Sequence, residues 1–321
     1  MDGTDLINID PDNSLAIQTA GLTKHFGQVI AVDHITFEVK RGELFGFLGP
    51  NGAGKTTTAR ILTGVIRADE GNALIMGYKA GSLGAKQISG VVPEMANPYV
   101  DLSGWDNLML MAELYGVPPK GAKERSTHLL NDLGLLERKN DKVQGYSKGM
   151  KQRLTVCMAL LSDPKVIFLD EPTSGLDVQS SRLIKELLGN LNKEGKTIFL
   201  TTHDMDEANQ LCDRVAIINK GKIVAIDPPE KLRMATSRLR SVEVSFASVI
   251  TPDALATLPG VDSVKKLGDK YRLYTAVPGD LVIILSSYAS SNGLKIISCN
   301  TLAPSLEDAF VALTTKEVRN A

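Results

Sequence analysis

The chain has 321 residues, 43% hydrophobic and 23% charged, a length that favours two domains, each able to bury its own core. Thirty-six Lys and Arg stand against 37 Asp and Glu, a net charge of −1, which gives no support for a large basic nucleic-acid surface. No apolar run approaches the ~18–20 residues that span a bilayer, so any membrane role needs another chain for the membrane part.

Residues 1–14 carry Asp2, Asp5, Asp10 and Asp12 and no apolar core. They read as a disordered, solvated tail and not as a signal peptide. Cys157, Cys212 and Cys299 lie far apart and read as buried thiols of a reducing compartment. Short β-like segments begin at 15–22 and continue at 29–39, where Ile35-Thr36-Phe37-Glu38-Val39 alternates. Between them stands Phe26. An aromatic there either stacks on a purine ring, a contact worth ~1–3 kcal/mol, or fills the core at a strand end.

The apolar run Leu44-Phe45-Gly46-Phe47-Leu48 leads into Gly49-Pro50-Asn51-Gly52-Ala53-Gly54-Lys55-Thr56, and a helix-prone run, 57–62, follows. Strand, glycine-rich turn and helix form the context in which G-x-x-x-x-G-K-[ST] means a phosphate site. The glycines let successive backbone N–H groups face phosphate oxygens, and the helix beginning near Gly54 adds its positive dipole end. Lys55 places a compact charge on the β- and γ-phosphates. The Thr56 hydroxyl suits Mg²⁺, a hard cation that prefers oxygen.

Further strands are expected at 72–76 and 88–92. From Ser103 to about 138 the period becomes helical. Trp105, Leu108, Met109, Met111, Ala112 and Tyr115 recur at 3–4 spacing, and Pro118-Pro119 separates two helices. This helical insertion, about 95–162, carries a Met and aromatic stripe that reads most simply as core, the alternative being a contact surface for a partner helix. Tyr146-Ser147-Lys148-Gly149-Met150 then opens an amphipathic helix, 151 to about 161. Ser147 is a good N-cap, so this helix start is either a second phosphate site or a plain cap.

Val166-Ile167-Phe168-Leu169 predicts a strand buried on both faces. It ends in Asp170-Glu171, at the sheet edge where α/β folds bind ligands. Asp170 would hold Mg²⁺, and Glu171 would orient and activate a water for attack on the γ-phosphate. Ser174-Gly175-Leu176-Asp177 turns into a helix, about 178–194. A buried strand, 197–200, ends in Thr201-Thr202-His203-Asp204, where His203 could donate to the γ-phosphate. A helix (205–212) and two strands (214–219, 222–226) precede a boundary at Pro228-Pro229.

Taken together, residues 15 to about 235 resemble the nucleotide-binding subunit of an ABC transporter. Gly49, Pro50, Asn51, Gly52, Ala53, Gly54, Lys55 and Thr56 look like Walker A, with Thr57 beside them among the expected nucleotide contacts. Residues 166–171 resemble Walker B with Glu171 as the catalytic glutamate. Residues 146–150 resemble the signature motif, 174–177 the D-loop, His203 the H-loop and Phe26 the adenine-stacking aromatic. The resemblance implies an α/β P-loop NTPase fold over 15–236: a β-subdomain, a RecA-like core and the helical insertion.

The resemblance further implies ATP and Mg²⁺ as ligands and two copies of the chain head to tail. Walker A of one copy would meet Ser147, Gly149 and Met150 of the other across each ATP. Closure and hydrolysis would power export through a separately encoded membrane permease docked near 95–115. The chain would then be peripheral, on the cytoplasmic face of the membrane. Tyr146 and Lys148 stand where the signature usually has leucine and glycine, as in an ABC-2-like subgroup tied to drug or polysaccharide export. Glu94, in Val92-Pro93-Glu94, replaces the usual Q-loop glutamine. It still offers Mg²⁺ an oxygen, but it adds negative charge and loses an amide donor.

Residues 237–321 hold no catalytic cluster. Strand (242–246), helix (252–258), hairpin (263–267, 271–276), helix (279–292), strand (294–299) and helix (305–315) predict a small accessory α+β domain, ferredoxin-like. It resembles the C-terminal domain of some export-type subunits, including Ser305-Leu306-Glu307-Asp308-Ala309-Phe310, and a stabilising or dimer-contact role is expected, with regulation or small-ligand sensing as the alternative. The alternative is a soluble ABC-type ATPase acting on nucleic acid or ribosomes. A single cassette, no long coiled coil and near-zero charge weigh against it. A P-loop kinase leaves the signature and His203 without a role.

Overall fold

In the computed structural model, which describes residues 14–234 and 240–320 without the side chains of 315–320, one unit of the chain ends at Asp227 and a second begins at Pro228. Of the tail expected at 1–14, residues 1–13 lie outside the described residues. In chain order the first unit contains β1 (Leu15–Phe26), β2 (Val29–Lys40), β3 (Leu44–Leu48), α1 (Lys55–Leu62), β4 (Glu70–Ile75), β5 (Tyr78–Lys79), α2 (Leu83–Gln87), β6 (Ser89–Val92) and α3 (Gly104–Leu114). It continues with α4 (Pro119–Asp132), α5 (Lys148–Leu160), β7 (Val166–Asp170), α6 (Val178–Lys193), β8 (Thr197–Thr202), α7 (Met205–Leu211), β9 (Arg214–Asn219) and β10 (Lys222–Asp227).

Two sheets share this unit. An antiparallel one runs β2-β1-β4-β5, and a six-stranded one runs β10-β9-β3-β8-β7-β6. In the second, β3 pairs parallel with β8 and β9, and β7 pairs parallel with β6 and β8. Every residue of β3, β7 and β8 is buried. Such strands have no solvent face, which is why their sequences are continuous apolar runs and not alternating ones. β2 alternates over its second half instead, because one face packs inward and the other meets water.

Phenylalanine joins the two sheets. Phe37 of β2 stacks on Phe45 of β3 with centroids 5.6 Å apart and lies 5.5 Å from Phe47 and 6.0 Å from Phe199. Phe199 in turn meets Phe168 at 5.8 Å. Each fully buried ring contributes about 1.5–3 kcal/mol by transfer from water. The cluster fixes the strands whose carboxyl ends carry the motifs.

The Met and aromatic stripe of the insertion is only partly core. Leu108 and Ala112 are buried, Trp105, Met109 and Met111 are half-buried, and Tyr115 is exposed. Leu114 and Met95 are also exposed, at 67% and 73%. Here α3 has a single packed face, and its other apolar residues line solvent. α5 starts at Lys148 and not at 151, because Ser147 caps it and the helix begins at the next residue.

The second unit contains α8 (Pro229–Met234), β11 (Ser241–Phe246), α9 (Pro252–Ala256), β12 (Ser263–Leu267), β13 (Lys270–Tyr274), α10 (Pro278–Ser291), β14 (Ile296–Leu302) and α11 (Leu306–Asn320). Its antiparallel sheet has the order β12-β13-β11-β14, the split β-α-β arrangement of a ferredoxin-like domain. Val242, Val244, Leu273, Leu281 and Leu285 build its core.

Burial pushes the thiols of Cys157 and Cys212 far above their ordinary range. Cys299 departs from expectation: it is only half-buried. Among the described residues no helix is long and apolar enough to cross a membrane.

Candidate active site

The glycine-rich loop turns from β3 into α1. Gly54, the N-cap, has φ 108°, a conformation that an L side chain resists, and a Cβ there would collide with the carbonyl oxygen of Ala31. Ser82, Ser103, Ser147, Asp177 and Asp204 cap α2, α3, α5, α6 and α7 with side-chain oxygens, whereas α1 has no side-chain cap. Its first-turn N–H groups are therefore donors for an external anion. Gly49, Ala53 and Gly54 are buried, while Pro50, Asn51 and Gly52 are exposed at the rim. Thr57 is half-buried in the first turn of α1.

Lys55 is 4% exposed and reaches three acceptors. Its Nζ donates to the carbonyls of Gly49 (2.8 Å) and Pro50 (3.1 Å) and lies 3.1 Å from Glu171 Oε1. His203 Nδ1 holds the other oxygen, Oε2, at 2.8 Å. A carboxylate only accepts, so Nδ1 is the donor and Nε2 of the neutral ring is a bare acceptor. Donation from Nε2 to a phosphate therefore requires the cationic ring. Both oxygens of Glu171 are thus engaged, one by Lys55 and one by His203.

Glu171 has φ 47°, rare for a residue with a side chain and costing about 1–3 kcal/mol. Its N–H donates to the carbonyl and the hydroxyl of Thr201, at 3.0 and 3.2 Å. Thr201 Oγ1 also donates to Asp170 Oδ1 at 2.5 Å, and Thr56 Oγ1 donates to the same atom at 3.1 Å. Thr201 was invisible in the sequence as a site residue. Its only signal is a hydroxyl on the strand end adjacent to Asp170. Thr56 and Asp170 offer oxygen alone, at a spacing that fits a hard divalent cation. Among the described residues no three His, Cys, Asp or Glu side chains converge as a metal cage. A cation here would take its remaining oxygens from phosphate and water.

Glu94 is exposed on the loop after β6. β6 pairs with β7 through Val92 and Leu169, so Glu94 stands two residues past the end of β6, and Glu171 one residue past the end of β7, whose last residue is Asp170. Phe26 is 53% exposed at the end of β1, with Lys24 Nζ 5.7 Å above the ring. It is therefore not a core aromatic. The returning strand β2 brings Ala31 against Gly54, which places this hairpin end near the loop.

The 146–150 segment stands apart from the loop. Among the described residues no hydrogen bond or ion pair joins the two. Ser147 Oγ accepts from Met150 N–H at 3.2 Å. Lys148 Nζ donates to the Ser174 carbonyl at 3.0 Å. Gly149 packs so closely on Asp177 and Ser180 that a Cβ would overlap both. Asp177 caps α6, and the Ser180 N–H that it accepts holds its carboxyl below the usual range. Tyr146 is buried, its hydroxyl donates to the Arg138 carbonyl at 2.7 Å, and burial pushes its pKa up.

This geometry agrees with the chain's relatives. The family model described as ABC transporter matches residues 32–174. A linearmycin resistance ATP-binding protein of Bacillus subtilis is 35% identical over 310 residues, 95% of this chain and 100% of that one. A Nod factor export ATP-binding protein of Ralstonia nicotianae is 36% identical over 308 residues, 95% of each chain. A fluoroquinolones export ATP-binding protein of Mycobacterium tuberculosis is 44% identical over 234 residues, 72% of this chain and 76% of that one. Among solved structures, an ATP-binding subunit of an ABC transporter superposes with TM-score 0.64 at 28% identity, covering 69% of this chain and 93% of that one. A dimeric ATP-binding cassette in a post-hydrolysis state with ADP and Pi gives 0.60 at 25% identity, covering 66% and 98%. With the loop, Asp170, Glu171 and His203 at one sheet edge, the chain belongs to the ABC transporter family, as one of its ATP-binding, ATP-hydrolysing subunits.

Proposed function

We propose that this chain binds ATP at Gly49 to Thr57 and hydrolyses it with Glu171 as general base, in a site completed by a second copy. The observation that carries the reading is the Lys55–Glu171 pair at 3.1 Å between two side chains less than 10% exposed. A triphosphate would draw Lys55 to the β- and γ-phosphates and release Glu171 Oε1 to accept a proton from the attacking water. His203 keeps Oε2 and aims the carboxylate. Thr56 and Asp170 would hold Mg²⁺, with Glu94 near it. That ion would neutralise charge on the phosphates. Phe26 would stack on the adenine.

The separation of 146–150 from the loop supports a shared site. Ser147, Gly149 and Met150 would serve the ATP of the partner copy in a head-to-tail dimer. The export roles named for the relatives support export as the purpose, through a membrane permease on the cytoplasmic side. Met95, Tyr99, Leu114 and Tyr115, all exposed, would dock it, beside a groove of about 680 Å³ between α2 and the turn from α3 to α4.

Hydrolysis of MgATP by the purified full-length chain tests the site. Wild type turns ATP over, and Lys55→Ala and Glu171→Gln do not. Undiminished turnover in either variant refutes the assignment. In cells, the chain is expected in the membrane fraction and released by alkaline wash. Recovery in the soluble fraction alone would refute the permease.

A further inference from the structure

Glu207 lies in the first turn of α7 and is fully buried. A glutamate three residues after an N-cap usually reaches back to the cap's own N–H. Here that N–H, on Asp204, donates to Thr202 Oγ1 at 3.0 Å instead. The Glu207 carboxylate turns away and accepts, through Oε1, from Thr173 Oγ1 at 2.7 Å, a partner 34 residues distant in sequence. Its second oxygen, Oε2, is buried with no hydrogen-bond partner. A buried carboxylate with one donor is destabilising on its own account, so packing does not explain it.

Thr173 belongs to the turn that begins at Glu171. Ser174 N–H donates to the Glu171 carbonyl at 3.1 Å and closes that turn, whose first residue sits at φ 47°. A strained conformation persists only where its surroundings hold it. Thr201 holds the turn at the Glu171 N–H, and Lys148 holds it from the exposed side at the Ser174 carbonyl. From the core side it is held by Glu207.

We infer that Glu207 is a positioning residue for hydrolysis: through Thr173 it fixes the turn at 171–174 and so aims the Glu171 carboxylate. This rests on the reading of Glu171 as the base, and the test separates the two. Thr173→Val keeps the shape and removes the hydroxyl. Misplacement of a reacting group costs roughly 10- to 100-fold, so kcat of the full-length chain is expected to fall by that factor, with ATP affinity in equilibrium binding unchanged. Thr173→Ser restores turnover.

Should Thr173→Val not fold, Glu207→Met, which keeps the length of the side chain and removes the acceptor of the Thr173 hydroxyl, carries the same measurement, and a loss of kcat without loss of affinity is again expected. Wild-type kcat in the folded Thr173→Val or Glu207→Met chain, while Glu171→Gln is inactive, overturns the inference and leaves the base in place. Equal losses in Thr173→Ser and Thr173→Val overturn it also. Turnover in Glu171→Gln at the wild-type rate overturns both.

Discussion

Replacing Glu171 by glutamine tests the buried ion pair before any chemistry occurs. Lys55 and Glu171 are 4% and 8% exposed, with their charged atoms 3.1 Å apart. Removing one partner of such a pair costs about 3–5 kcal/mol when the other charge is left alone. Lys55 is not left alone, because the carbonyls of Gly49 and Pro50 stay at 2.8 and 3.1 Å, and the glutamine amide still offers an oxygen. The expected cost is then nearer the ~1–3 kcal/mol of an imperfectly satisfied buried group. At about 2 kcal/mol, and 2–4 °C per kcal/mol for a unit of this size, Tm falls by roughly 4–8 °C without nucleotide. Saturating MgATP offsets this loss, since the variant does not consume its ligand and ATP at about 100 times its Kd adds ~2.7 kcal/mol. Scanning fluorimetry with and without MgATP reads both effects. A nucleotide-free Tm at or above wild type would refute the ion pair as a feature of the resting chain.

Phe26→Ala should weaken ATP binding by about 1–3 kcal/mol, the worth of one stacked base, and leave Tm without nucleotide unchanged, as expected for a ring 53% exposed. Titration with a fluorescent ATP analogue measures it. Cys157 and Cys212, pushed up by burial, should resist a thiol reagent until the chain unfolds, while half-buried Cys299 reacts in the native state. Mass spectrometry counts the labels, and early labelling of Cys157 would contradict its burial. Glu243 is held below the usual carboxylate range, chiefly by the hydrogen bond from Lys270 at 2.8 Å and then against the opposing effect of its burial. Its contribution to stability is thus complete above the unfolded value of about 4.3. It is lost as pH falls through the lower folded value. The Tm gap between wild type and Glu243→Gln should begin to close as pH falls below the unfolded value of about 4.3, and a gap that stays constant through the acid titration would refute the assignment.

How much of this was legible depended on range. β3, β7 and β8 announced themselves because a strand buried on both faces needs an unbroken apolar run, and Gly49 to Thr56 is dense enough in special residues to be read alone. The Ser147 cap was equally visible, though it moves the helix start to Lys148. β5 and α2 escaped, being two and five residues long and too short for any period. The stripe on α3 misled, because spacing shows that residues share a face but not that anything covers it. Least legible were contacts joining distant positions: Thr201 on Asp170, Lys55 on Glu171, Glu207 on Thr173. The positive φ of Glu171 has no sequence signal, since it is imposed by hydrogen bonds from β8 and not by the residue.

The central claim is that the loop is half of a site and that residues 146–150 of a second copy are the other half. Light scattering on the Glu171→Gln chain measures this most directly, with the mass read first in ADP and then in MgATP. The shared site predicts the mass of one chain in ADP and of two in MgATP, with the shift lost when Ser147 is replaced by glutamate. A single-chain mass in saturating MgATP, in a variant shown to bind ATP, would contradict it.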